Sequence, residues 1–93
     1  MDAQKVLVLH PGDNVAVALT PLAAEETIAV SGSPLLTSLR ARTAIPTGHK
    51  IALRALARGQ TVVKYGQPIG TVTADVGAGE HVHTHNVVSA RAG

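Results

Sequence analysis

One short unit recurs along the chain, and it limits the fold more than any other feature. Ile45-Pro46-Thr47-Gly48-His49-Lys50-Ile51, Leu56-Ala57-Arg58-Gly59-Gln60-Thr61-Val62 and Val76-Gly77-Ala78-Gly79-Glu80-His81-Val82 share the form apolar-x-x-Gly-x-x-apolar. Leu22-Ala23-Ala24-Glu25-Glu26-Thr27-Ile28 is a degenerate copy without the glycine. A glycine at that place supplies the positive φ of a tight turn, and the next apolar residue re-enters the core. Copies this close together leave room for short strands and little else. Their irregular spacing excludes a solenoid.

The segments between these units read as strands. Lys5–Leu9 is rich in Val and Leu, and residues 14–19 form a second strand after the turn Pro11-Gly12-Asp13. Thr37, Leu39, Ala41, Thr43 and Ile45 alternate with Ser38, Arg40, Arg42 and Ala44, the pattern of a half-buried strand. Further short strands are expected at 49–55, 61–65, 69–73 and 80–88. A helix at 33–42 or 50–58 is the alternative, but Pro34, Pro46, Gly48 and Gly59 would keep it short. The expected fold is therefore mainly β: one small domain over residues 1–93, with 89–93 as a loose tail.

Composition narrows the function. Apolar residues make up 45% of the 93-residue chain, yet Tyr65 is its sole aromatic, so the core must be Val, Ile, Leu and Ala. There is no cysteine, hence no disulfide and no thiolate metal site, which fits a reducing cytoplasm. The pI near 9.5 rests on a net charge of only +2. Lys and Arg are scattered and no aromatics are available to stack bases, which argues against a nucleic-acid partner. Met1-Asp2-Ala3-Gln4 lacks a basic leader, and no apolar stretch is long enough for a bilayer. A soluble cytoplasmic protein with no membrane partner is expected.

The chemistry concentrates in Gly79-Glu80-His81-Val82-His83-Thr84-His85-Asn86, where three of the five histidines alternate within five residues. On a strand, alternate side chains share a face, so the imidazoles form a row beside Asn86. Neighbours in such a row lie about 6.6–6.8 Å apart and the outer two about 13 Å. Metal–nitrogen bonds of about 2.0–2.1 Å then allow one ion two of these rings, not three. Clustered titratable groups mark sites more often than bland surface, although a solvated histidine strand is the simplest alternative. His10 and Asp13 flank a turn, where Asp and Asn usually bond backbone. His49 and Lys50 point to opposite faces of any strand they share. Lys64 ends a strand as either a carboxylate-binding or a solvated lysine. Phosphate loops, dinucleotide fingerprints, nucleophile elbows and His-Glu-x-x-His are all absent.

Four ordered motifs carry a family resemblance: Leu9-His10-Pro11-x-Asp13-Asn14-Val15-Ala16-Val17-Ala18, Gly48-His49-Lys50-Ile51-Ala52-Leu53, Val63-Lys64-Tyr65-Gly66-Gln67-Pro68-Ile69-Gly70 and Val82-His83-Thr84-His85-Asn86. Together, over about residues 6–88, they resemble the small N-terminal domain of the altronate/galactarate dehydratase family. That domain is of the SAF type, a β-clip fold. The resemblance implies the small subunit of a two-subunit, altronate dehydratase-like lyase, inactive without a large catalytic subunit. Such an enzyme removes the proton α to a carboxylate and expels a β-hydroxyl as water from a sugar acid, giving a 2-keto-3-deoxy acid. It implies a divalent metal, iron, held mainly by the large subunit, and a hetero-oligomer. The small subunit of a sulfolactate sulfo-lyase is the alternative within the class. A non-catalytic sugar-acid- or metal-binding module is the alternative outside it.

On the family motifs, His10, His49, His83 and His85 are expected to be catalytic, with His83 and His85 also expected to be metal ligands. Asp13, Asn14, Lys50, Lys64 and Asn86 are expected to bind substrate. His81 lies outside the shared motif, and residues 20–44 match nothing specific.

Overall fold

The computed structural model describes residues 4–89. Nine short strands follow in order: β1 (Val6–Leu7), β2 (Val15–Ala18), β3 (Thr27–Ala29), β4 (Ser38–Arg40), β5 (Lys50–Ala52), β6 (Thr61–Lys64), β7 (Gln67–Val72), β8 (His81–Val82) and β9 (Val87–Ser89). All pairings are antiparallel. They make a four-stranded sheet ordered β1-β2-β5-β8, a hairpin of β3 and β4, and a three-stranded sheet ordered β6-β7-β9. The described residues contain no helix, so the helices considered at 33–42 and 50–58 do not form. Among the described residues no helix is long and apolar enough to cross a membrane.

The recurring unit is the skeleton. In each copy the first apolar residue makes an isolated bridge, Leu22 to Ile45 and Leu56 to Val76. The turn follows at once. Gly48, Gly59 and Gly79 adopt φ of +85°, +91° and +85°. Glu25, standing where the degenerate copy lacks glycine, takes the same left-handed backbone at φ 70°. At Gly79 nothing larger would fit, because a Cβ would lie 2.0 Å from the Arg40 carbonyl oxygen.

The period of two explains the two cores. On β2, Ala16 and Ala18 face one cluster with Leu22, Ile28, Ile45 and Ile51, whereas Val15 faces another with Leu56, Val62, Val72 and Val82. On β5, neighbours Ile51 and Ala52 divide in the same way. The four-stranded sheet is thus buried on both faces, and its strands read as apolar runs.

Three expectations change. The strand foreseen over 37–45 keeps its buried Leu39, Ala41 and Ile45 but is a strand only at β4. The strand foreseen over 80–88 breaks after Val82: residues 83–86 form a bend and turn before the chain resumes as β9. Ser89, expected in a loose tail, belongs to β9 and pairs with Gly70, while 90–93 lie outside the described residues.

Candidate functional site

The site forms where β5 and β8 pair. Their register sets Lys50 opposite Val82 and Ile51 opposite His81. One step further along the same register puts His49 opposite His83. Directly opposed residues of an antiparallel pair share a face, so His49, His81 and His83 gather on one side. Their rings lie nearly parallel. His49 and His83 centroids are 3.6 Å apart, His49 and His81 5.0 Å, and His81 and His83 5.7 Å. His49 Nδ1 and His81 Nε2 are hydrogen-bonded at 2.7 Å.

The broken strand reshapes the expected row. The turn at 83–86 carries His85 back, so its ring centroid lies 4.9 Å from that of His81 rather than some 13 Å along an extended chain. Asn86 holds this turn. Its Oδ1 accepts the His83 N–H at 2.9 Å and its Nδ2 donates to the His81 carbonyl at 2.8 Å. The backbone N–H of Asn86 donates to the His83 carbonyl at 3.0 Å. Asn86, expected to bind substrate, thus holds the backbone of His81 and His83.

His49 is free for the cluster because of its own turn. In three of the repeated units the residue after the glycine position braces the turn by accepting a backbone N–H three residues back. Glu26 accepts from Ala23, Gln60 from Ala57 and Glu80 from Gly77. In the remaining unit the residue three back is Pro46, which has no N–H to satisfy. Residue 49 needs no acceptor there, and an imidazole takes the place.

Charge within the cluster is of one sign. Burial, then the neighbouring His85, His49 and His83, hold the His81 pKa below the usual histidine value. Burial, then His49, Lys50 and His85, lower that of His83. Lys50 is lowered by burial and then by Lys64. The ion pairs among the described residues, Lys5–Glu26 and Arg40–Glu25, involve none of these groups. Neutral imidazoles or a bound anion relieve such crowding.

Lys50 lies beside the histidines but on the other face of β5. It lines a cleft of about 180 Å³ with Val62, Ile69, Val82, His83 and Val87. A larger cleft of about 610 Å³ follows Gln4, Lys5 and residues 27–31, away from every histidine. One ring nitrogen each from His49, His81 and His83 lies within 4.8 Å of the other two, a separation compatible with a shared metal ion. The geometric grouping is therefore not the expected pair of His83 and His85. It contains His81, which the motif comparison had set aside. The repeat did not signal this grouping, since Gly48 and Gly79 are equivalent but His49 then aligns with Glu80 and Lys50 with His81; only the pairing of β5 with β8 brings the three rings together.

The other expected residues sit elsewhere. His10 is exposed, accepts the Gly12 N–H on Nδ1 at 2.9 Å and packs over Gly66. Lys64 ends β6 at the Tyr65-Gly66 turn, where both residues have positive φ, as a two-residue type I′ hairpin requires. Asp13 and Asn14, expected to bind substrate, are buried. Asp13 Oδ1 accepts the Gly66 N–H at 2.8 Å, while Oδ2 has no partner among the described residues. Asn14 accepts the Val63 N–H at 2.8 Å and donates to the Thr61 carbonyl at 2.9 Å. The structure makes Asn14 a strut between β2 and β6, which no sheet pairing joins.

Residues 4–90 match the family model of the altronate/galactarate dehydratase SAF domain. Over 78 residues, 84% of this chain, the sequence is 45% identical to altronate dehydratase of Escherichia coli (strain K12). It is 38% identical over the same length to altronate dehydratase of Bacillus subtilis (strain 168). The chain spans about 15% of the length of each of these two proteins. Over 53 residues, 57% of this chain, it is 51% identical to (2R)-sulfolactate sulfo-lyase subunit alpha of Paracoccus pantotrophus, covering 79% of that subunit.

Proposed function

The chain belongs to the altronate/galactarate dehydratase SAF domain family, and from that premise we propose that it is the small subunit of a two-subunit hydro-lyase. The reaction would take water from a sugar acid, in the manner of altronate dehydratase, and leave a 2-keto-3-deoxy acid. The observation that carries this reading is the cluster of His49, His81 and His83 beside Lys50, a basic site with no carboxylate partner among the described residues, on a domain shared with altronate dehydratases.

In the elimination, a base takes the proton α to the carboxylate, the β-hydroxyl leaves with a proton as water, and the resulting enol tautomerises to the ketone. A ring nitrogen of His49 or His83 with a free lone pair suits the first proton, and His85 is a second candidate. The Lys50 ammonium suits the substrate carboxylate. A divalent metal, iron in this reading and held mainly by the large subunit, would polarise the carboxylate or the departing oxygen.

A cleft of about 180 Å³ is small beside the roughly 300–1,000 Å³ of a small-molecule site, so a partner chain must complete the walls. That partner is the large catalytic subunit, in a cytoplasmic hetero-oligomer. A second reading, the alpha subunit of a sulfo-lyase, is favoured by one observation: the Paracoccus relative, itself named a subunit, is covered over most of its length.

Reconstitution tests the proposal. The chain alone should not turn over altronate, and adding the large subunit should restore dehydration. His49→Gln should abolish the restored turnover while keeping the fold, because Gln60 already fills the equivalent position of another unit. Release of sulfite from sulfolactate in place of water from altronate would select the second reading. Full activity of His49→Gln and of the His83→Ala/His85→Ala double variant would refute both.

A further inference from the structure

Three imidazoles gather at the β5–β8 seam, whereas the elimination needs a single base, and this inference rests on the same cluster as the lyase reading. A hydrogen bond between two ring nitrogens, His49 Nδ1 and His81 Nε2, needs a hydrogen on one and a lone pair on the other. At least one ring of that pair is therefore neutral, the form a metal binds. One ring nitrogen from each of His49, His81 and His83 lies within 4.8 Å of the other two. A tetrahedral ion with bonds of about 2.0–2.1 Å separates its ligands by roughly 3.3 Å. The rings lie nearly parallel, so binding requires these half-exposed side chains to turn until one in-plane lone pair of each points at the ion.

The backbone beneath the rings is already held. The Asn86 amide clamps the His81 carbonyl and the His83 N–H, and the Pro46-Gly48 turn delivers His49 with no duty to its own backbone. Supporting bonds of this kind hold ligand positions in place.

We propose that this chain carries a transition-metal site of its own, formed by His49, His81 and His83. It is distinct from the metal that the lyase reading assigns to the large subunit, and it gives His81, which takes no step in the elimination, the role of a ligand. Three neutral nitrogens without carboxylate or thiolate select zinc, cobalt, nickel, copper or iron(II) over magnesium and calcium. Three protein ligands leave a further coordination position for water or an anion, and with the ion bound the lone pairs of His49 and His83 are taken, which leaves His85 as the base of the elimination. Loading moves the hydrogen held between His49 and His81 to the other nitrogen of the donor ring, with no net proton release from neutral imidazoles, and protonation of any of the three rings in acid opposes binding.

Calorimetric titration of the 93-residue chain with Zn²⁺ near about pH 7.5 tests this, where histidine is mostly neutral. One ion per chain should bind, and millimolar Mg²⁺ should not compete. His49→Ala, His81→Ala and His83→Ala should each weaken binding by about tenfold or more, with circular dichroism unchanged, whereas His85→Ala should stay within about twofold. Co²⁺ should give a visible absorption band that His81→Ala removes. Absence of Zn²⁺ binding, an unchanged affinity in His81→Ala, or an equal loss in His85→Ala would overturn the site. If Zn²⁺ does not bind while the reconstituted enzyme turns over, this inference falls and the lyase reading stands. If Zn²⁺ binds as expected and no reconstitution is active, the site stands and the lyase reading falls.

Discussion

Truncating Asn14 separates a structural residue from a substrate-binding one. Asn14 is 4% exposed and ties the end of β2 to β6 with both atoms of its amide, while its own N–H donates to the Val63 carbonyl at 3.3 Å. Asn14→Ala removes two hydrogen bonds, and their consequences differ. Thr61 is exposed, so water can replace the donor lost to its carbonyl, at a cost of about 1 kcal/mol. The Val63 N–H lies deeper and is left without an acceptor, at about 1–3 kcal/mol. The sum is about 2–4 kcal/mol, a large part of the roughly 5–15 kcal/mol that holds a small domain together. At about 4–8 °C per kcal/mol, a loss near 3 kcal/mol lowers the midpoint by roughly 12–24 °C. Urea and thermal unfolding followed by circular dichroism measure this directly. A variant that loses less than about 0.5 kcal/mol would refute the strut argument. If such a variant also lost ligand binding, Asn14 would be a substrate residue after all.

Two further outcomes concern the cluster and the turns. The lowered pKa of His81 and His83 makes the unfolded chain bind more protons than the folded one over a window below 6.5. Stability should be complete above that value and should fall as acid moves the pH down through the folded-state pKa. Urea midpoints taken between about pH 8 and pH 5 should show this slope, and His81→Ala should flatten it. Glu25→Gly relieves a left-handed glutamate at φ 70° and sacrifices only an exposed ion pair with Arg40, so it should stabilise by about 0.5 kcal/mol. Gly79→Ala drives a Cβ into the Arg40 carbonyl and should cost more than about 2 kcal/mol in the same assay.

Local chemistry made much of the fold readable. The repeated unit forecast four tight turns, because a glycine before a returning apolar residue has few other uses. The copy without glycine bends in the same way, at the expense of strain on Glu25. Alternation identified the buried Leu39, Ala41 and Ile45. The turn at 83–86 was not legible, since Thr84-His85-Asn86 contains no glycine or proline. It depends on the Asn86 amide finding two backbone groups once the chain has bent. The interior place of Asn14 was hidden for a different reason: its partners, Thr61 and Val63, are nearly fifty residues away.

The chain's own order of residues determined a β domain of short strands, a core without aromatics, a dense set of imidazoles near residue 80 and membership of a lyase-related family. Those properties follow from composition, spacing and turn chemistry, which act over a few residues. Tertiary structure decided which histidines belong together. Pairing of β5 with β8 brings His49 across to His81 and His83, the turn folds His85 back, and Pro46 relieves residue 49 of bracing its own turn. Cross-strand register depends on contacts between distant segments, so the make-up of the site appears only when those segments meet.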